Sequence, residues 1–236
     1  QPKLTVLVAT AQGLKMHGGV PVEDIKKPNS EGLKKGLANL DKHIKNMQSF
    51  GQTVIVAFNH YAGDVEEEQN IVREYCESIG VGFAINDAYA KGGEGAADLA
   101  RLVVDTIEQK PSQPLNLVYD DEDTIETKIE KVCKNIYGAA SISFAAPAKK
   151  KLQMIRDLGY ENFPICIAKT QFSFSTDAKQ YCVASGFDVN VRDIVINAGA
   201  EMIVVIAGNI MRMPGLPKVP AAMNMDIVNG QIEGLS

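Results

Sequence analysis

Leu4-Thr5-Val6-Leu7-Val8-Ala9-Thr10 and Thr53-Val54-Ile55-Val56-Ala57-Phe58 are the stretches whose reading decides the fold. Each is a short, continuously apolar, β-branched run, the pattern of a buried strand. Between them Leu33, Leu37, Leu40, Ile44 and Met47 recur at three- and four-residue intervals, giving a helix one apolar face. Strand, helix and strand make a βαβ unit with parallel strands.

The cycle continues with a polar helix over Glu66 to Ile79, a strand at Gly82-Phe83-Ala84-Ile85, and a helix carrying Leu99, Leu102, Val103 and Ile107. This predicts an α/β fold with a doubly wound, mostly parallel sheet. In such sheets ligands collect beyond the carboxyl ends of the strands, so the loops Thr10 to Gly19, Asn59 to Asp64 and Asn86 to Gly95 are expected on one rim.

Lys110-Pro111-Ser112-Gln113-Pro114 interrupts the pattern and divides the chain into expected domains 1–110 and 111–236. The second is a smaller α/β unit. Ile125, Ile129, Val132 and Ile136 form a helix face that Gly138 is placed to end. Ile142 to Phe144 reads as a strand, Ala148 to Leu158 as a helix, and Pro164 to Ala168 as a strand. Asp193 to Asn197 and Met202 to Ala207 read as a hairpin. Pro214, Pro217 and Pro220 predict a defined loop over Met211 to Ala222.

Formal net charge is −5, with both signs scattered, so no basic stripe exists to engage nucleic acid. Apolar runs such as Met202 to Gly208 fall far short of the roughly 20 residues needed to cross a bilayer. Nothing at the amino end reads as a secretory signal. The start at Gln1, two residues before a strand, suggests a piece excised from a longer protein. Cys76, Cys133, Cys166 and Cys182 are widely spaced, as reduced thiols of a cytoplasmic protein would be. His17, His43 and His60 lack metal-ligand spacing, so no metal site is expected.

Several motifs admit two readings. Lys15 and His17 precede Gly18-Gly19, glycines that suit either close backbone approach to an anion or a turn at positive φ. Lys91-Gly92-Gly93-Glu94-Gly95 is either a phosphate-facing loop or a tight strand-to-helix turn; it is not a Walker A sequence, which occurs nowhere in the chain. Asn59-His60-Tyr61 and Asn86-Asp87-Ala88-Tyr89 put one aromatic after each of two adjacent strands, where the rings either sandwich a flat heterocycle or pack with wet hydroxyls. Asp120-Asp121-Glu122-Asp123 reads as a helix N-terminus. Ser173 and Ser175 lie in no nucleophile elbow.

Taken in order, Val8-Ala9-Thr10, Leu14-Lys15-Met16-His17-Gly18-Gly19, Ala90 to Gly95, Ala168-Lys169-Thr170-Gln171-Phe172-Ser173-Phe174-Ser175 and Met213-Pro214-Gly215-Leu216-Pro217 resemble the carboxyl-terminal part of the formate–tetrahydrofolate ligases, from about Leu4 through Leu235. The resemblance implies ligation of formate to tetrahydrofolate with ATP and Mg²⁺ through formyl phosphate, in a homotetrameric enzyme of one-carbon metabolism. It implies that the nucleotide is held by a P-loop absent from these residues, so this piece alone is expected to hold neither ATP nor Mg²⁺ and to be inactive, its catalytic residues lying mainly elsewhere. A non-catalytic folate-binding or oligomerisation module of the same family is the alternative. By resemblance the folate contacts are Tyr61, Ile85 and Tyr89, and the active-site rim comprises Lys15, His17, Gly18, Gly19, Asn59, Lys91, Gly92, Gly93 and Glu94. Gln12-Gly13 stands where the family usually has Arg-Ala.

Overall fold

The computed structural model describes residues 1–210, 218–228 and 231–233. The expected Met-Pro-Gly-Leu-Pro loop, 213–217, lies outside the described residues.

Strands β1 (Thr5–Ala9), β2 (Val54–Asn59) and β3 (Gly82–Asn86) form a parallel sheet in the order β1-β2-β3. Their registers, Ala9 beside Phe58 and Asn59 beside Asn86, bring the three carboxyl ends to one edge. Helices α2 (Ser30–Ser49) and α3 (Glu66–Ser78) cover the face built from Leu7, Ala9, Val54, Val56, Phe58 and Phe83. Helix α5 (Ala97–Gln109) meets the other face at Gly82, where a Cβ would lie 3.3 Å from Leu102. On that face Val6 and Val8 of β1 are 40% and 57% exposed.

The first connection departs from the sequence reading. Residues after β1 are not a loop but helix α1 (Ala11–His17), capped by Thr10, whose Oγ1 accepts from the Gly13 amide at 3.0 Å. α1 lies so tightly on α2 that a Cβ on Gly36 would sit 1.9 Å from the Leu14 carbonyl oxygen, and one on Gly18 would sit 1.7 Å from that of Gly32. Only glycine permits this approach.

The second sheet has the order β4-β6-β7-β5, from β4 (Ser141–Phe144), β5 (Ile165–Ala168), β6 (Asp188–Asn197) and β7 (Met202–Ala207). It is mixed: β6 and β7 are the expected antiparallel hairpin, while β4 and β5 join in parallel. Strand β6 begins five residues before the sequence reading placed it, because its first half alternates buried Val189 and Val191 with exposed Asn190 and Arg192 rather than running apolar throughout. Helices α6 (Ile125–Val132) and α7 (Ala146–Leu158) pack Ile125, Ile129, Leu152 and Ile155 against this sheet in a core of its own. α6 is capped by Thr124 rather than by the acidic run before it, and its extension ends, as expected, at Gly138, φ +84°. Strands β8 (Asp226–Val228) and β9 (Gln231–Glu233) pair as a short antiparallel ribbon.

Candidate functional site

The loops that follow β2 and β3 are tied together at the sheet edge. The His60 amide donates to the Asn86 carbonyl at 3.0 Å, and the Asn86 side-chain amide donates to Asn59 Oδ1 at 2.7 Å. Asn86 Oδ1 is buried and has no hydrogen-bond partner among the described residues, so an acceptor stands open to a donor there.

Tyr61 opens a turn closed by Asp64, whose carboxylate accepts from the Tyr61 amide at 2.9 Å. Tyr89 lies in the single-turn helix α4 (Ala88–Lys91). The rings are 49% and 89% exposed, and Ile85 is partly buried at the end of β3. Two solvent-facing aromatics on adjacent strand ends beside an amide pair can hold a flat, polar heterocycle.

Asp87 organises this rim. Its carboxylate lies 3.2 Å from His60 Nδ1 and 2.9 Å from Lys91 Nζ, and hydrogen bonds from Lys91 and His60 hold its pKa below the ordinary carboxylate value. Lys91, Gly92, Gly93 and Glu94 are exposed and form the turn into α5, with Gly92 at φ +59°. A Cβ on Gly95 would fall 2.3 Å from the Asp87 carbonyl oxygen, which explains one glycine of the run by packing alone.

The residues of α1 go elsewhere. Lys15 is 1% exposed; its ammonium donates to Glu68 Oε2 at 3.0 Å and to the Lys27 carbonyl at 2.9 Å. Gly18 packs on Gly32, and Gly19, at φ +87°, makes the turn that follows. His17 faces the second unit: its Nδ1 accepts from the Cys182 amide at 3.0 Å, which places the proton of the neutral ring on Nε2.

A second polar concavity lies between the two sheets. It has a volume of about 270 Å³ and includes His17, Asn39 and His43 on one side and Tyr137, Lys169, Thr170 and Ser173 on the other. Sequence reasoning assigned Lys169 and His43 no role, because their neighbours are distant in the chain; only the lysine directly after a strand was there to be noticed. Burial pulls Lys169 down to about 8 and lowers His17; His43 is lowered by burial and by the charges of His17, Lys169 and Lys42. Another cavity, about 620 Å³, opens at the amino ends of β2 and β3 against α5, away from the rim where parallel sheets bind ligands. Ser173 and Ser175 bond to one another at 3.0 Å and to nearby amides, a turn rather than a nucleophile and base. Among the described residues no three His, Cys, Asp or Glu side chains converge on a metal position, and no helix is long and apolar enough to cross a membrane.

A parallel three-stranded sheet with helices on both faces places the chain in the α/β class. Within it, the family model for formate–tetrahydrofolate ligase matches residues 1–236. The chain is 64% identical over 235 residues to the formate–tetrahydrofolate ligase of Phocaeicola vulgatus, 60% identical over 236 residues to that of Bacteroides fragilis, and 48% identical over 238 residues to that of Campylobacter concisus. These matches cover all of this chain and 42%, 42% and 43% of the respective relatives. The chain belongs to the formate–tetrahydrofolate ligase family and spans less than half the length of these curated relatives.

Proposed function

We propose that this chain is the folate-binding portion of a cytoplasmic, homotetrameric formate–tetrahydrofolate ligase, which makes 10-formyltetrahydrofolate from formate, ATP and tetrahydrofolate through formyl phosphate. What supports the reading is that Tyr61 and Tyr89 stand on loops joined by the His60–Asn86 and Asn59–Asn86 hydrogen bonds, in a chain of that family. The pterin would lie against the two rings with Ile85 beneath it. Asn59, Lys91, Gly92, Gly93 and Glu94 would form the rim, whereas Lys15 and Gly18 serve the packing of α1 and His17 faces the second unit.

The chemistry needs acyl activation: formate has a poor leaving group, and phosphorylation supplies a good one before the folate amine attacks. The chain has no Gly-x-x-x-x-Gly-Lys-Ser/Thr sequence. Its own residues therefore do not supply the phosphate cradle that ATP and Mg²⁺ would use in a P-loop NTPase-like domain. We treat residues 1–110 as the remainder of such a domain and 111–236 as a smaller one, on the strength of their separate cores.

The test is Tyr89→Ala in the intact-length protein. Loss of one aromatic face should weaken tetrahydrofolate binding by roughly 1–3 kcal/mol, measured by calorimetry; an unchanged dissociation constant rejects the assignment. The 236-residue piece alone should show no ATP- and formate-dependent turnover, and measurable turnover would remove its proposed status as an incomplete ligase.

A further inference from the structure

The concavity between the two sheets has an unusual charge balance. His17, His43 and Lys169 all line it, and no carboxylate does among the described residues. Among the described residues the Lys169 ammonium contacts only neutral groups: the carbonyls of Thr170 and Ser173, and the face of Tyr137 at 4.7 Å from the ring centre. His17 spends Nδ1 on the Cys182 amide, which leaves Nε2–H as a donor. The His43 ring is packed on Phe174, centroids 4.7 Å apart.

Asn39 supplies an independent observation. It is 7% exposed and lines both this cleft and a neighbouring one of about 240 Å³ beside the carboxyl end of β1. Donors and positive charge converge here from α1, α2 and the loop after β5, on both sides of the seam.

We propose that this cleft is a binding site for an oxyanion, the phosphate or carboxylate group of a small ligand. Lys169 supplies the charge, His17 Nε2–H and the Asn39 amide supply directional donors, and the anion provides a counter-charge that the described lining lacks. Burial lowers the proton affinity of Lys169 and both histidines, and neighbouring charges lower His43 further. Bound between α2 and the Lys169–Ser175 loop, the anion would also clasp the two sheets together. The site is separate from the tyrosine rim and does not rest on the pterin reading.

The test is histidine-ring NMR on the intact-length protein that carries this chain, with His17 and His43 signals assigned from His17→Gln and His43→Gln. Inorganic phosphate and glutarate are titrated separately at constant pH and ionic strength, with chloride as the reference anion. Saturable shifts of both signals are expected with at least one probe, and none at His60. A response to phosphate alone assigns a phosphate-bearing ligand, and one to glutarate alone a carboxylate. Lys169→Met and Asn39→Asp should each weaken the affinity about tenfold or more, the first by removing a charge-assisted partner and the second by introducing repulsion. An unmoved His60 signal certifies the fold of each variant, and Asn39→Asp decides if Lys169→Met disturbs it. Absence of saturable shifts with both probes, an equal response to chloride, or undiminished affinity in the correctly folded variants overturns the proposal.

Discussion

Lys15 and Glu68 form a buried ion pair 3.0 Å apart, each side chain 1% exposed, that fastens α1 to α3. Both ends are completed by backbone: Lys15 donates to the Lys27 carbonyl, and the other Glu68 oxygen accepts from the Asn29 amide at 2.6 Å. The pair thus also anchors the connection that enters α2.

Breaking it from one side strands a charge in the core. Lys15→Met is expected to destabilise the chain by roughly 3–5 kcal/mol, while Lys15→Met combined with Glu68→Leu should recover much of that loss. Urea unfolding of the two variants checks this; equal stability of single and double mutants would refute the coupling.

This pair also marks how far the sequence could be read. Strands β1 to β3 were visible because each is a short, continuous apolar run, even though β1 leaves Val6 and Val8 exposed on one face, and their ends locate the rim by topology. Helix α1 was not visible: Gly13 within it and Gly18-Gly19 after it look like loop residues. Its stability comes from contacts with Gly32, Gly36 and Glu68, which no local pattern discloses. The same limit hid the cleft between the sheets, since His17 and Lys169 meet only through the docking of the two halves. Asn59, Tyr61 and Tyr89 were accessible to sequence reasoning because Asn59 ends β2 and the two tyrosines lie shortly after the ends of β2 and β3.

Asp87 is expected to matter for ligand affinity without touching the ligand. It holds His60, the residue before Tyr61, and Lys91, two residues after Tyr89. Asp87→Asn keeps the shape and removes the charge, so both loops lose a tether. Tetrahydrofolate affinity of the intact-length protein should fall a few-fold, with thermal stability nearly unchanged, as surface ion pairs contribute little to folding. Calorimetry and a melting curve on the same sample separate the two effects.

Lys169 should leave a mark on stability as a function of pH. Its folded value is about 8, lowered by burial, against about 10.4 for an unperturbed lysine. Between these values the unfolded chain holds more protons than the folded one, so the free energy of unfolding rises with pH through this group. The penalty of burying the ammonium is fully present below about pH 8 and is relieved towards pH 10. Burial raises Cys133 and Tyr137 to about 12, and these neighbours oppose that slope. The measurement is therefore the difference between Lys169→Met and the parent chain, in which the opposing contributions largely cancel. Any stability advantage of the variant should shrink as pH rises from 8 to 10. Parallel curves for variant and parent would show that Lys169 keeps an ordinary lysine's proton affinity in the folded chain.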